Sequence, residues 1–196
     1  MPVKGNFLGR QDPADIVVQA GILDLNNPPI YCELRHVRKI AIHESYRFLV
    51  NNIALLKLDV PFDFAKSQWH IGAVCLPAKD HPLKGNVVVT GWGAISHGRP
   101  TSSHLLALSV PVRPPMICTR QTQESYNSKI MFCAASPGRD SCQGDFGGPA
   151  VQKESGSSIL VGVVSYGAPC GLVPVIYTRV SAYTAWIYKN IAKLQS

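Results

Sequence analysis

Gly138-Arg139-Asp140-Ser141-Cys142-Gln143-Gly144-Asp145-Phe146-Gly147-Gly148-Pro149 is the stretch on which the reading of this 196-residue chain turns. Four glycines and a proline within twelve residues mark it as a loop between extended segments. Before it, strand-like runs alternate with turn residues: 16–20, 37–42, 53–58, 87–90 ahead of the turn Gly91-Trp92-Gly93, and 105–112. After it come 159–165 and 175–180. The rhythm predicts an all-β barrel or sandwich. One helix is expected, at the end of the chain. Ser181 can serve as its N-cap, and Tyr183, Ile187, Ile191 and Leu194 recur at helical spacing.

Composition narrows the class. Hydrophobic residues make up 46% of the chain and charged residues 16%, enough apolar material for a sizeable core. The 16 glycines and 15 prolines suit short strands joined by turns. No apolar run approaches the ~18 residues of a membrane helix, and the start, Met1-Pro2-Val3-Lys4-Gly5-Asn6, carries no apolar signal region. The six cysteines (Cys32, Cys75, Cys118, Cys133, Cys142, Cys170) form no C-x-x-C pair, which argues against a zinc ribbon. An even, scattered set suits disulfides and an oxidising compartment. Net charge is +7, with a cluster at Arg35, His36, Arg38 and Lys39 that reads as a solvated strand face. No nucleic-acid recognition motif accompanies the charge, so neither nucleic acid nor membrane is an expected partner. No metal or other cofactor is expected.

Residues 138–149 resemble the active-site loop of the trypsin/chymotrypsin family of serine proteases (peptidase S1), G-x-D-S-C-Q-G-D-S-G-G-P, departing from it only at Phe146. Other matches follow in order. Asn51-Asn52-Ile53-Ala54-Leu55-Leu56 resembles N-D-I-A-L-L, Cys75-Leu76-Pro77 and Thr90-Gly91-Trp92-Gly93 are family segments, and Tyr177-Thr178-Arg179-Val180-Ser181 with Tyr183-x-x-Trp186-Ile187 completes the set. The fold this implies is two packed antiparallel β-barrels with a C-terminal helix, the first barrel incomplete. The division expected is a loose lead-in over 1–13, a partial first barrel over 14–76, a linker over 77–85, and a second barrel with the helix over 86–196. Residues 14–190 together form one peptidase S1-like domain. The resemblance implies a chain truncated at its N-terminus, and an extracellular location although no signal peptide is present.

The resemblance also implies the disulfides Cys118–Cys133 and Cys142–Cys170. A third family bridge would join the sites held here by Val87 and Gln152, so both of its halves are gone together. Cys75 matches a position that commonly pairs with a cysteine further upstream, and Cys32 has no family counterpart. A Cys32–Cys75 bridge, two free thiols, or a Cys75 directed at another chain all remain open.

Catalysis in this family needs a hydroxyl nucleophile, an imidazole to take its proton and a carboxylate to orient the imidazole. Phe146 stands at the nucleophile's place, and a phenyl ring cannot attack a carbonyl. Asn52 stands at the carboxylate's place. No histidine lies in the family's A-A-H-C context, and His43, in His43-Glu44-Ser45-Tyr46, matches a structural loop. The activation tetrapeptide I-V-G-G is absent, while the aspartate that would pair with its amino group survives as Asp145. An unpartnered buried carboxylate is costly, so Asp145 is expected to turn toward solvent. The oxyanion hole built on the Gly144 N–H is then expected to be poorly formed. The binding side survives better. Asp140 matches the pocket-floor aspartate that implies Lys/Arg preference, and Ser165-Tyr166-Gly167 resembles the wall that pairs with substrate backbone. Val175 replaces a glycine and narrows the pocket.

The expectation is therefore a non-catalytic protease homologue, a pseudoprotease, that binds a protein or peptide partner. A cofactor or decoy in an extracellular protease cascade, meeting a protease or a protease inhibitor, is one such role. The alternatives are an active serine endopeptidase misrepresented by a truncated or erroneous sequence, and a truncated product without function.

Overall fold

The computed structural model of the protein describes residues 12–47, 49–94, 98, 100–122, 126–136, 144–167 and 173–195. Asp12 opens it by capping a short 3-10 turn over Pro13–Asp15, its Oδ1 accepting from the Ala14 N–H at 3.0 Å. Three antiparallel strands follow, β1 (Val17–Ala20), β2 (Glu33–Ile42) and β3 (Ala54–Leu58), in the order β1-β2-β3.

The second half contains β4 (Asn86–Gly91), β5 (Leu106–Pro111), helix α1 (Pro115–Thr122), β6 (Met131–Ala134), β7 (Pro149–Glu154), β8 (Ser157–Tyr166) and β9 (Val175–Arg179). A 3-10 turn over Val180–Ala182 then leads into helix α2 (Thr184–Gln195). The six strands are antiparallel in the order β5-β4-β7-β8-β9-β6. The two outer strands of this sheet meet. Val112, just past β5, bridges Ala134 of β6, and the Arg113 and Ala135 N–H groups bond the Cys133 and Pro111 carbonyls at 2.9 and 3.2 Å. The sheet thus curls into a barrel, which leaves its outer strands paired with each other rather than exposed as edges.

Alternation fills the barrel's interior. Val87 and Val89 of β4 point inward while Val88 between them is exposed, as the two-residue period of a strand requires. They pack with Val110, Phe132, Ala150, Val161, Val164, Val175 and Tyr177. Phe132 and Tyr177 stack at 4.9 Å, and Gly162 leaves the room they need, since a Cβ there would lie 2.6 Å from the Phe132 ring.

The two sheets are joined at several points. Leu105 N–H bonds the Leu23 carbonyl at 2.7 Å, and Cys75 forms a parallel bridge with Ile159. Helix α2 seals the junction, because Tyr183, Trp186 and Ile187 pack with Val180 against Ile53 and Leu55 on one side and Leu160 and Val163 on the other.

The all-β expectation with a C-terminal helix matches this architecture, and the first half is represented by three strands. Three details differ. Helix α1 carries a short, weakly patterned sequence, Pro-Met-Ile-Cys-Thr-Arg-Gln-Thr, with no periodic apolar face to announce it. Strand β6 is four residues long and buried throughout, and β7, Pro-Ala-Val-Gln-Lys-Glu, alternates in burial but not in residue type, so neither carries a clean apolar-polar alternation in its sequence. Ser181 is not the N-cap of α2: it is buried in the preceding 3-10 turn, and its carbonyl accepts from Thr184 Oγ1 at 3.2 Å.

Of the cysteines, Cys118 and Cys133 are bridged, linking α1 to β6 with Cα atoms 5.7 Å apart. Cys32 and Cys75 are free thiols, so the bridge between them is not formed. Cys32 Sγ accepts instead from Gln19 Nε2 at 3.1 Å. Cys142 and Cys170 lie outside the described residues. Val87 and Gln152, where the resemblance implies a third bridge, carry no sulfur. Val88 pairs with Val151, and one step along that register sets Val87 beside Gln152. The Gln152 amide donates to the carbonyls of Lys84 and Asn86, so a polar contact is formed at the position where the resemblance implies a bridge.

Candidate functional site

Four segments converge at the mouth between the sheets: the turn before β3, the loop before β7, the end of β8 and the start of β9. Asn51 holds the first in a left-handed conformation, φ +53°, which asparagine tolerates better than most residues. Both ends of its amide are engaged. Asn51 Nδ2 donates to the Ser45 carbonyl at 2.9 Å, and Tyr183 OH donates to Asn51 Oδ1 at 2.9 Å. Burial pushes the Tyr183 phenol up to about 12, so it remains a neutral donor across the physiological range.

Asn52 is thereby fixed against both neighbouring strands. Its Nδ2 donates to Ser165 Oγ at 2.9 Å, and its carbonyl accepts from Thr178 Oγ1 at 2.8 Å. Ser165 sits near the end of β8, one residue past Val164. Val164 anchors the loop that carries Phe146: Gly147 N–H donates to the Val164 carbonyl and Val164 N–H to the Gly148 carbonyl, both at 2.9 Å. Asn52, Ser165 and Phe146 therefore share one small network of strand and loop contacts. Phe146 keeps 45% of its surface exposed, at a turn closed by Gly148 N–H to the Asp145 carbonyl at 2.8 Å.

Asp145 does not turn to solvent as expected. It is half-buried, with its carboxylate directed at the Gly91-Trp92-Gly93 turn, where Gly93 N–H donates to Oδ1 at 2.9 Å. Both glycines are required by that seat, because a Cβ on either would collide with the Asp145 carboxylate. The charge-assisted bond from a backbone N–H offsets part of the desolvation cost on which the outward orientation was predicated. Gly144, next to it, has φ +101° and is exposed, a conformation suited to glycine.

Val175 is 2% exposed and belongs to the barrel core. It reaches Gly167 closely enough that a Cβ on Gly167 would lie 3.1 Å from Val175 Cγ2. Gly167 and Val175 are thus brought together with Ser165, whereas Asp140 lies outside the described residues.

The described histidines are placed elsewhere, and His97 lies outside the described residues. His43 stacks on Trp186 at 5.1 Å and meets the Tyr183 ring edge-on at 5.5 Å, while its Nδ1 accepts from Ser45 N–H at 3.2 Å. Trp186 Nε1 donates to Glu44 at 2.7 Å, and Glu44 is held below the usual carboxylate range, first by its own backbone N–H and then by that indole. His70 stacks on Tyr31 at 3.9 Å, His81 lies 3.2 Å from Glu154, and His104 lies 3.7 Å from Asp24. His36 lies opposite Val17 on the open sheet. Among the described residues the hydrogen-bond partners of Asn52 are Ser165 and Thr178 rather than a histidine, and no cluster of three or more metal-binding side chains occurs.

Three contributors escaped the sequence reading: Thr178, Asn51 and the glycine pair as a carboxylate seat. The turn 90–93 was visible as a motif, but nothing in its text says which side chain rests on it.

A closed six-stranded antiparallel barrel beside a second sheet, a C-terminal helix across the seam and a site at the junction define a chymotrypsin-like fold. The chain matches the family described as Trypsin over residues 14–187 and belongs to that family, the trypsin-like serine proteases (peptidase S1). It is 37% identical over 186 residues to Trypsin-1 of Astacus astacus, covering 92% of this chain and 77% of that protein. It is 37% identical over 169 residues to Serine proteinase stubble of Drosophila melanogaster, covering 80% of this chain and 21% of the relative. U21-ctenitoxin-Pn1a of Phoneutria nigriventer is 34% identical over 163 residues, with 77% and 66% covered.

Proposed function

We propose that this chain is a non-catalytic member of its family that works by binding a protein or peptide at the cleft between its sheets. The observation that carries the reading is Phe146, a half-exposed phenyl group on the loop that a nucleophilic hydroxyl would occupy. Asn52 supports it independently. Its amide is neutral and spends a donor on Ser165 Oγ, so it offers no charge to stabilise an imidazolium. The survival of the Ser165–Gly167 segment, the anchored loop and the Asp145 seat favours a retained binding surface, since a chain with no role for the cleft has no need of these contacts.

The role that fits is extracellular: a cofactor or decoy that engages a protease or a protease inhibitor without cleaving it. Val175 filling the space beside Gly167 restricts the pocket, so the partner is held by its backbone and surface rather than by a long basic side chain inserted to the floor.

The test is surface-immobilised protein titrated with a trypsin-like protease and with a protein inhibitor of trypsin. Saturable binding at micromolar concentration to either is expected, together with no labelling by a fluorophosphonate probe. Labelling of the pure chain, or absence of binding to both, refutes the proposal.

A further inference from the structure

The pairing of β2 with β3 sets two lysines opposite each other. Lys39 lies directly opposite Lys57, and the register shifts between Val37 and Lys39, so Arg38 is the extra residue of a bulge. The bulge leaves Arg38 and Lys39 as consecutive exposed cations, with His36 exposed beside them. Like charges directly opposite destabilise a sheet. Among the described residues none of Arg38, Lys39 and Lys57 has a carboxylate at ion-pair distance; the pairs formed are Arg35–Glu33, His81–Glu154 and His104–Asp24.

The face carrying the two lysines follows from alternation. Lys57 is two residues past Leu55, and Leu55 packs in the cluster around α2. The lysine pair therefore continues the side of the sheet on which α2 lies. Lys189 and Lys193 are exposed on α2 and share one helical face by their spacing of four. Glu44 is the carboxylate at the start of this side, bonded to Trp186 and within the field of Lys189.

We propose that this face, centred on Arg38, Lys39 and Lys57 and flanked by the α2 lysines, binds a sulfated polysaccharide. The net charge of +7 is the long-range part of the argument, since it attracts a polyanion before contact. The opposed lysines are the local part, because a linear chain of sulfates laid across them relieves their repulsion. The Cys118–Cys133 bridge belongs to an oxidising compartment, where sulfated glycans rather than nucleic acids are the linear polyanions at hand.

The experiment is elution from immobilised heparin in a salt gradient, with titration of a heparin-derived oligosaccharide at several salt concentrations. Lys39→Gln/Lys57→Gln is compared with Lys79→Gln/Lys153→Gln, which removes two exposed lysines elsewhere. The first double variant is expected to lose about tenfold or more in affinity and to lower the salt slope by about one for each lysine removed. The second is expected to elute with the wild type. Thermal melting without ligand supplies the control for structure, because removing a like-charge pair should leave the melting point unchanged or raise it. Equal losses in the two variants, a lowered melting point for Lys39→Gln/Lys57→Gln, or tighter binding at equal salt to RNA or to anionic vesicles would overturn the proposal.

Discussion

Replacing Phe146 by serine puts a hydroxyl on the loop before β7, and on the non-catalytic reading proposed above that should achieve little. The cost to folding is small. The phenyl group is 45% exposed, so roughly half of the 1.5–3 kcal/mol for a fully buried side chain is lost, about 1 kcal/mol. That shifts the melting point by about 2–4 °C. The turn survives, because the bonds from the Gly147 N–H to the Val164 carbonyl and from the Val164 N–H to the Gly148 carbonyl are backbone bonds. The chemical gain is smaller still. In such triads, removing the serine or the histidine alone costs nearly as much as removing all three groups, about 10⁶ in kcat. On the proposed reading the serine has no base, and it therefore recovers almost none of it. Asn52 carries a further handicap: an amide in place of the orienting carboxylate costs about 10⁴. Hydrolysis of a chromogenic Lys/Arg amide by Phe146→Ser, and by Phe146→Ser/Asn52→Asp, should stay within about tenfold of the protein-free rate. Stoichiometric labelling of Phe146→Ser by a fluorophosphonate, or amidase turnover well above that rate, would refute the reasoning and identify an unrecognised base.

Other outcomes follow from individual contacts. The bridge Cys118–Cys133 closes a loop with a sequence separation of 15, so Cys118→Ala/Cys133→Ala should lose about 3 kcal/mol in urea unfolding; a loss below about 1 kcal/mol contradicts the chain-entropy account. Gly93→Ala drives a methyl group into the Asp145 carboxylate and should cost about 1–3 kcal/mol. In an Asp145→Ala background most of that cost should vanish, and additivity within about 0.5 kcal/mol would show that the two residues do not meet. The Tyr183 phenol, pushed up to about 12 by burial, binds its proton more tightly folded than unfolded. Its contribution is full below the ordinary tyrosine range near pH 10 and is lost as pH climbs toward 12. Tyr183→Phe should flatten that alkaline decline in denaturant midpoint, and an unchanged profile would exclude Tyr183 as its source.

The strands that were legible in the text were runs of apolar, largely β-branched residues between turn signals. Val87, Val88 and Val89 are one such run, and the fold alone decides that the middle valine faces out. Strand β6 is four residues, Met-Phe-Cys-Ala, with no β-branched residue among them, and α1 has too little amphipathic pattern to distinguish it from a loop. The candidate site divides in the same way. Phe146 and Asn52 stood out against a motif of known order, and both lie where strand ends converge. The seat of Asp145 did not. Its orientation depends on a bond from Gly93, 52 residues away in the chain, and the opposite orientation was the reasonable expectation from burial cost alone.

Motif order and the spacing of apolar runs and turns were enough to establish family and fold class, because each is a local feature or a matter of spacing along the chain. Three matters waited for the tertiary structure: the partner of Asp145, the state of Cys32 and Cys75, and the opposition of Lys39 to Lys57. Each depends on which residues the fold brings within a few ångströms. A hydrogen bond or a like-charge repulsion depends on that distance, and linear order does not encode it.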